Sequence, residues 1–335
     1  MNITTVAKRA GVSTATVSRV INDSAVVSPA TAAKVRKVVR ELHFLPDGNA
    51  RSLGSGRSGM YGLIISDITN PYFPELVKAF EDIAVEHKQE ILIANTDYDL
   101  ERMEHCVIRM LQRKVDGVAI MTSEMAGHLV NSLSRRSIPL VFLDVAPAFA
   151  VSSVVQVNYA SGIQMGVEHL VELGHRDIGF ISGPLDLHSA QIRQKAFRSM
   201  LKQYKLKSLP GSVQEGNHRI EGGHAAMLRM LLATKRRITA VMGSNDLTAI
   251  GAMGALRDQG LAIPHDVSVV GFDGIELGGY TQVPLTTLSV SRKELAALAF
   301  NMLYQSSRQS SDAKPVISSV EPTLLIRAST APPRP

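Results

Sequence analysis

The stretch Asn2 to Asn22, NITTVAKRAGVSTATVSRVIN, constrains this chain more than any other. Val6, Ala7 and Ala10 give one short helix an apolar face, and Val17, Val20 and Ile21 give a second helix the same i, i+3, i+4 stripe. Gly11 breaks the chain between them, and Ser13 is placed to cap the second helix. Two helices joined by a short glycine-containing turn form the helix-turn-helix pattern. In that pattern the second helix enters the DNA major groove with its N-terminal residues toward base edges. Those residues are Thr14 and Ala15, with Arg19 one turn on. An ordinary helical hairpin satisfies the same spacing, and charge separates the two readings. Residues 1–59 hold nine Lys/Arg (Lys8, Arg9, Arg19, Lys34, Arg36, Lys37, Arg40, Arg51, Arg57) against Asp23, Glu41 and Asp47, which accounts for the whole net charge of +6. A basic surface confined to one segment favours a polyanion, because neutralising phosphates releases counterions.

A length of 335 residues is too great for one core and implies two to three domains. No apolar run approaches the ~18 residues of a membrane span, and the N-terminus lacks the apolar core of a signal peptide, so the reading is a cytoplasmic protein with no membrane partner. Cys106 is the sole cysteine, which leaves no disulfide framework and no cysteine metal site; its helical setting, ERMEHCVIRML, predicts a half-buried packing residue. The ten histidines are scattered, and HExxH, GxSxG and P-loop patterns are absent. No enzyme, no cofactor and no metal is expected.

Ser28-Pro29 opens a third helix, with serine capping and proline at the first position; Thr31, Val35, Val38 and Leu42 mark its inner face. Leu45-Pro46 closes a headpiece of residues 1–46. Residues 47–59, DGNARSLGSGRSG, read as a hinge or linker. Gly54 to Gly59 spells G-x-G-x-x-G, but it precedes a strand instead of opening a helix, so it is not a dinucleotide fingerprint. From Met60 apolar strands alternate with amphipathic helices: strands at 61–66, 90–95, 116–121, 139–144, 177–182, 239–244 and 267–272, with helices near 74–88, 100–113, 126–136, 159–173, 192–204, 220–234 and 246–260. This predicts an α/β domain with parallel sheets in two lobes, behind an α-helical headpiece. Ligands bind such sheets beyond the carboxyl ends of the strands. The proline-rich end, residues 329–335, reads as a flexible tail.

The segments VAKRAGVSTATVSRVIN, VSP, ELHFLP with ARSL, IISDITNPYF and VSVVGFD together resemble the lactose/galactose repressor (LacI/GalR) family of bacterial transcription regulators, over about residues 3–327. The resemblance implies a helix-turn-helix headpiece, a hinge, and a periplasmic-binding-protein-like effector domain, residues 60–328, that also forms a homodimer. It implies an N-lobe of about 60–158 and 290–315 and a C-lobe of about 159–289 and 316–328. It places base reading on Thr14, Ala15 and Arg19, and phosphate contacts on Ser13, Thr16, Ser18 and Asn22. It gives Asn49, Ala50, Arg51 and Leu53 to a hinge helix in the minor groove, with Leu53 as the wedge between base steps. Asp47, Gly48, Asn49 and Gly54 depart from the family pattern and should weaken that helix.

For the effector, resemblance and strand-end logic single out Asn70, Tyr72, Phe73, Thr122, Ser123, Arg193, Asn217, Asn245, Asp246 and Asp273. Arg, Asp and Asn can each bond neighbouring hydroxyls bidentately while aromatic faces cover a ring, which suits a sugar. Asp246 also reads as a helix cap, and Asn217 as loop scaffolding. Val290 stands where ribose repressors carry a hydrogen-bonding side chain, which argues against ribose; Leu187 and Asn217 stand where purine repressors carry ligand-contacting residues, which argues against a purine. The resulting reading is a repressor of a pseudo-palindromic double-stranded operator, switched by a small polar ligand. Two alternatives stay open: a solute-binding protein without DNA function, and a regulator whose effector is a phosphorylated protein.

Overall fold

The computed structural model describes residues 2–21, 26–44, 57–122, 125–144, 152–308 and 315–334. Asn22, Asn49, Ala50, Arg51, Leu53 and Ser123, all named above as contacts, lie outside the described residues, as do Asp47, Gly48 and Gly54. The chain forms two compact units, Met1–Gly59 and Met60–Pro335.

The first unit contains α1 (Ile3–Ala10), α2 (Thr14–Ile21) and α3 (Pro29–Glu41). The Asn2 side chain caps α1 by accepting from Thr5 N at 3.1 Å. Gly11 ends it in the left-handed region at φ 62°, and Val12 N returns to Ala7 O. Ser13 caps α2 by accepting from Thr16 N at 3.1 Å, and Ser28 caps α3 ahead of Pro29. Val6, Ala7, Ala10, Val17, Val20, Val35, Val38 and Phe44 meet in one core. Short helices gain most of their stability from such packing.

The second unit has two six-stranded sheets among the described residues. The first lobe is built on β1 (Met60–Ile65), β2 (Glu90–Asn95), β3 (Gly117–Met121), β4 (Leu140–Leu143), β5 (Ser153–Val157) and β11 (Ile317–Val320), in the order β11-β5-β4-β3-β1-β2, all parallel. The second is built on β6 (Ile178–Ser182), β7 (Val213–Glu215), β8 (Ala240–Gly243), β9 (Ser268–Asp273), β10 (Thr286–Ser289) and β12 (Thr323–Leu325), in the order β12-β10-β9-β8-β6-β7. Only the β10–β12 pair in it is antiparallel.

Helices α4 (Tyr72–Glu86), α5 (Leu100–Gln112), α6 (Gly127–Ser134) and α11 (Arg292–Ser306) serve the first sheet; α7 (Tyr159–Glu172), α8 (His188–Gln203), α9 (Ile220–Ala233) and α10 (Asp246–Asp258) serve the second. Alternation along β1 shows why both faces are covered: Leu63 and Ile65 enter one core while Ile64 enters another with Met103, Cys106 and Phe142. Cys106 is more buried than expected, at 4% exposure.

The chain passes between the lobes after β5, after β10 and after β11. Two expectations change as a result. Ile317–Val320 pairs with Ser153–Val157 in the first lobe, so the last return to the second lobe comes only after residue 320, not at 316. The tail expected to be flexible is anchored through residue 334. Ser329 is fully buried, its carbonyl accepts from Val269 N at 2.8 Å, and its hydroxyl accepts from Thr286 N at 2.8 Å. Arg334 pairs with Asp266 at 2.6 Å. Proline excludes helix and ladder bonding but leaves carbonyls free to accept, and this tail uses them: Ala331 O lies 2.9 Å from His175 Nε2.

Candidate effector cavity and exposed helix face

Strand ends from both sheets converge on a cavity of ≈ 590 Å³. Ser66 follows β1, Thr122 follows β3, Asp144 follows β4, Asn245 lies just beyond β8, and Asp273 is the last residue of β9. Tyr159 and Arg193 reach it from α7 and α8, and Asn70, Tyr72 and Phe73 from the start of α4. Met121, Met125, Leu143 and Leu187 supply apolar wall, with Tyr98, Asp186, His188 and Ser189 completing the lining.

Arg193 is the centre of the polar wall. It is 6% exposed, its guanidinium carbon lies 3.9 Å from the Tyr159 ring centroid and 5.2 Å from that of Phe272, and its Nη1 donates to Ser244 O at 3.1 Å. The same Nη1 lies 3.4 Å from His218 Nε2, a long contact. Arginine can only donate, so His218 Nε2 acts as acceptor and the ring proton sits on Nδ1. Burial, with Arg193 adding to it, pushes the His218 pKa down to about 3, so the imidazole is neutral. His218 sits at φ 61°, with its ring flush against Gly183, where a Cβ would meet Nε2 at 2.0 Å.

Two carboxyls flank this arginine. Burial raises the Asp144 pKa to about 6, against the pull of Arg193 and the Tyr159 hydroxyl. Burial raises Asp273 to about 8, with Arg193 opposing and Asp246 reinforcing. Asp144 Oδ1 and Arg193 Nε are buried and take no hydrogen bond among the described residues. Such groups are costly unless a partner supplies the bond, so they mark where a polar ligand would be held. Burial also raises the Tyr72 hydroxyl, which remains a protonated donor. Tyr72 and Phe73 meet edge to face with centroids 5.7 Å apart. Asn70 lines the cavity while its Oδ1 accepts from Tyr72 N at 3.1 Å.

Of the effector residues expected from sequence, the cavity brings together Asn70, Tyr72, Phe73, Thr122, Arg193, Asn245 and Asp273. Asp246 and Asn217 are corrections. Asp246 does not line the cavity: it is fully buried beneath β9 and β10, accepting from Thr287 Oγ1 and from Ile275 N. Nor does it cap α10; Asn245 does, accepting from Thr248 N at 2.8 Å while its Nδ2 donates to the His218 carbonyl at 3.0 Å. Asn217 is turned into its own loop, where Oδ1 accepts from Arg219 N at 3.0 Å. Asp144, Tyr159 and His218 were missed. The strand-end rule reaches Asp144, the last residue of the expected strand 139–144; Tyr159 and His218 follow β5 and β7, neither of which was recognised.

On the first unit, Ser13, Thr14, Ala15 and Arg19 are exposed along α2, and Thr16 and Ser18 are half-buried. The Ser13 hydroxyl is also 2.9 Å from the Thr16 hydroxyl, so capping engages both side chains.

A helix-turn-helix unit joined in one chain to a two-lobed α/β domain with a polar cavity between its lobes defines a DNA-binding regulator controlled by a small molecule. Residues 2–47 match the model of bacterial regulatory proteins of the lacI family, and residues 167–330 match the periplasmic binding protein-like domain. The chain is 35% identical over 329 residues to the HTH-type transcriptional repressor PurR of Edwardsiella ictaluri, covering 97% of this chain and 96% of that one. It is 36% identical over 299 residues to the ribose operon repressor of Escherichia coli, covering 89% and 90%. The crystal structure of the lac repressor dimer bound to operator and the anti-inducer ONPF superposes with a TM-score of 0.86 at 27% identity, over 99% of each chain. This chain belongs to the lacI family of bacterial regulatory proteins, as a DNA-binding transcriptional regulator with an effector domain.

Proposed function

We propose that this regulator is a homodimeric repressor of a pseudo-palindromic operator, released from or recruited to DNA by a polyhydroxylated ligand, a sugar, held between the lobes. The observation that carries the ligand class is the cluster of Asp144, Arg193, Asn245 and Asp273 beside Tyr72, Phe73 and Tyr159: fixed hydrogen-bonding groups on one side, aromatic surface on the other. Asn70 and Thr122 complete the polar contacts, and Ser123 belongs with them by position. On the DNA side, Arg19 bonds guanine and the methyls of Thr14 and Ala15 meet thymine, while Ser13, Thr16, Ser18 and Asn22 touch phosphates. Asn49, Ala50, Arg51 and Leu53 form the hinge contacts in the minor groove. A ligand shifts DNA affinity only by binding two lobe arrangements unequally.

The test is fluorescence anisotropy of the full-length protein on its own upstream DNA at fixed salt, against a panel of pentoses and hexoses. One sugar is expected to change operator affinity by at least about fivefold, the lower end of ordinary coupling. Operator binding that no sugar alters would sink the sugar and point to a protein or other effector.

A further inference from the structure

Among the described residues, polar contacts join the lobes inside the cavity, where Asp144 meets Tyr159 and Arg193, and also at two places outside it. One lies at the crossovers: Arg292 Nη2 bonds Glu75 Oε2 at 2.5 Å and Gly274 O at 2.7 Å, and Glu276 N donates to Glu75 Oε1 at 3.0 Å. It sits where the chain itself passes between lobes, so lobe rotation leaves it near the pivot. The other lies at the cavity rim, on residues with no covalent reason to be close. Arg219, which opens α9 in the second lobe, has Nη2 3.1 Å from Asp67 Oδ2 and 3.4 Å from Asp97 Oδ1, both on first-lobe loops.

Each partner in the rim contact is positioned by groups that also build the cavity. Asp67 directly follows the cavity residue Ser66; its side chain is only 5% exposed and is fixed by Thr69 N at 2.9 Å. Asp97 N donates to the Ser66 carbonyl at 2.7 Å, and Arg102 Nη1 holds its second oxygen at 3.3 Å. Asp97 and Tyr98 are consecutive non-glycine residues at φ 54° and 59°. That backbone is uncommon for such side chains and persists only where surroundings enforce it; here it turns Tyr98 to the cavity while Asp97 meets Arg219. In the second lobe, Arg219 is joined to His218, which touches Arg193 and whose carbonyl is tied to Asn245.

We propose that Arg219 is an electrostatic clasp that closes the two lobes over the cavity by bridging Asp67 and Asp97, so that ligand entry and release require the clasp to open. The clasp sets the balance between open and closed lobes whatever ligand the cavity takes. Because Arg219 is 45% and Asp97 47% exposed at the side chain, salt screens that pair, which shifts the opening equilibrium by a modest factor of about two to five; the pair with Asp67, 5% exposed, is screened less.

The experiment is hydrogen exchange with mass spectrometric readout on the full-length protein, following segments 66–73 and 186–193, one cavity wall from each lobe. Arg219→Met keeps the aliphatic stem and removes the charge; Asp97→Asn removes one partner. Both segments should exchange about two- to fivefold faster in Asp97→Asn and faster again in Arg219→Met, which loses both pairs, and the double variant should add little to Arg219→Met. Raising salt from 50 mM to 1 M should move the wild type toward the rate of Arg219→Met and leave that variant unmoved, while Arg219→Lys keeps the salt response. Unchanged exchange in Arg219→Met, or a salt response as large in that variant as in the wild type, would overturn the clasp. A purely packing role for Arg219 would leave the salt response in place.

Discussion

Single residues carry the chemistry of the cavity, and several hold protonation states that burial has chosen. Burial pushes Asp273 up to about 8 and Asp144 up to about 6 in the cavity, and Asp246 beneath it up to about 7. A carboxyl whose folded pKa lies above its unfolded value binds more protons when folded. The stability it contributes is therefore complete below about pH 4 and is lost as pH rises through its folded value. The neutral His218 contributes the opposite slope up to about pH 6.5, so the wild type should lose resistance to urea above that, between about pH 6.5 and pH 8. Asp273→Asn should shallow that slope by up to one proton's worth, ~1.4 kcal/mol per pH unit, in urea titrations at stepped pH. An identical slope in the variant would place the Asp273 charge in a better solvated setting than its burial implies. Strand-end position made Asn245 and Asp273 legible in sequence. It could not distinguish Asn245, which faces the cavity, from its neighbour Asp246, which turns beneath the sheet, because adjacent residues at a strand-to-helix turn point in opposite directions.

At the scale of elements, long apolar strands and amphipathic helices were readable, and short or polar edge strands were not. EILIAN occupies its expected span Glu90–Asn95. Ile317–Val320 contains Ser318 and Ser319 and exposes Ile317 at 69%, and Thr323–Leu325 is three residues long; such segments become strands only because a sheet edge is there to pair with. The contact of α9 with α10 was equally invisible. Its backbones approach so closely that a Cβ on Gly251 would meet Ile220 O at 2.0 Å and His224 N at 2.7 Å. Gly251→Ala should therefore cost about 1–3 kcal/mol in denaturant unfolding, since backbone cannot step aside as a side-chain tip can. Gly254→Ala on the same helix meets only His224 Cδ2 at 3.6 Å and should be neutral or stabilising by ~0.5–1 kcal/mol. Equal effects at the two positions would refute the close approach.

For the whole molecule, function depends on joining a basic headpiece to a ligand-responsive domain through residues 47–59, of which 47–56 lie outside the described residues. Leu53 is the one large apolar residue in that Gly- and Ser-rich stretch, and family resemblance gives it the role of a wedge that kinks the operator. Leu53→Ala should weaken specific operator binding by about five- to 160-fold, the ~1–3 kcal/mol that one mismatched position in a specific site costs, while non-specific DNA binding and ligand affinity stay as they were. Operator affinity unchanged in anisotropy titrations would remove the wedge from the reading.

The sequence by itself determined the local order: three capped helices, the confinement of positive charge to residues 1–59, and the alternation of strand and helix that makes parallel sheets. Those properties depend on neighbours in the chain, where periodicity and capping act. Only tertiary structure decided which strand ends face one another, that Ile317–Val320 returns to the first sheet, that Ser329 is pinned beneath the second, and that Arg219 reaches Asp67 across the rim. Each of the last three contacts joins residues more than forty positions apart, so its energy depends on how the lobes pack and not on any local pattern.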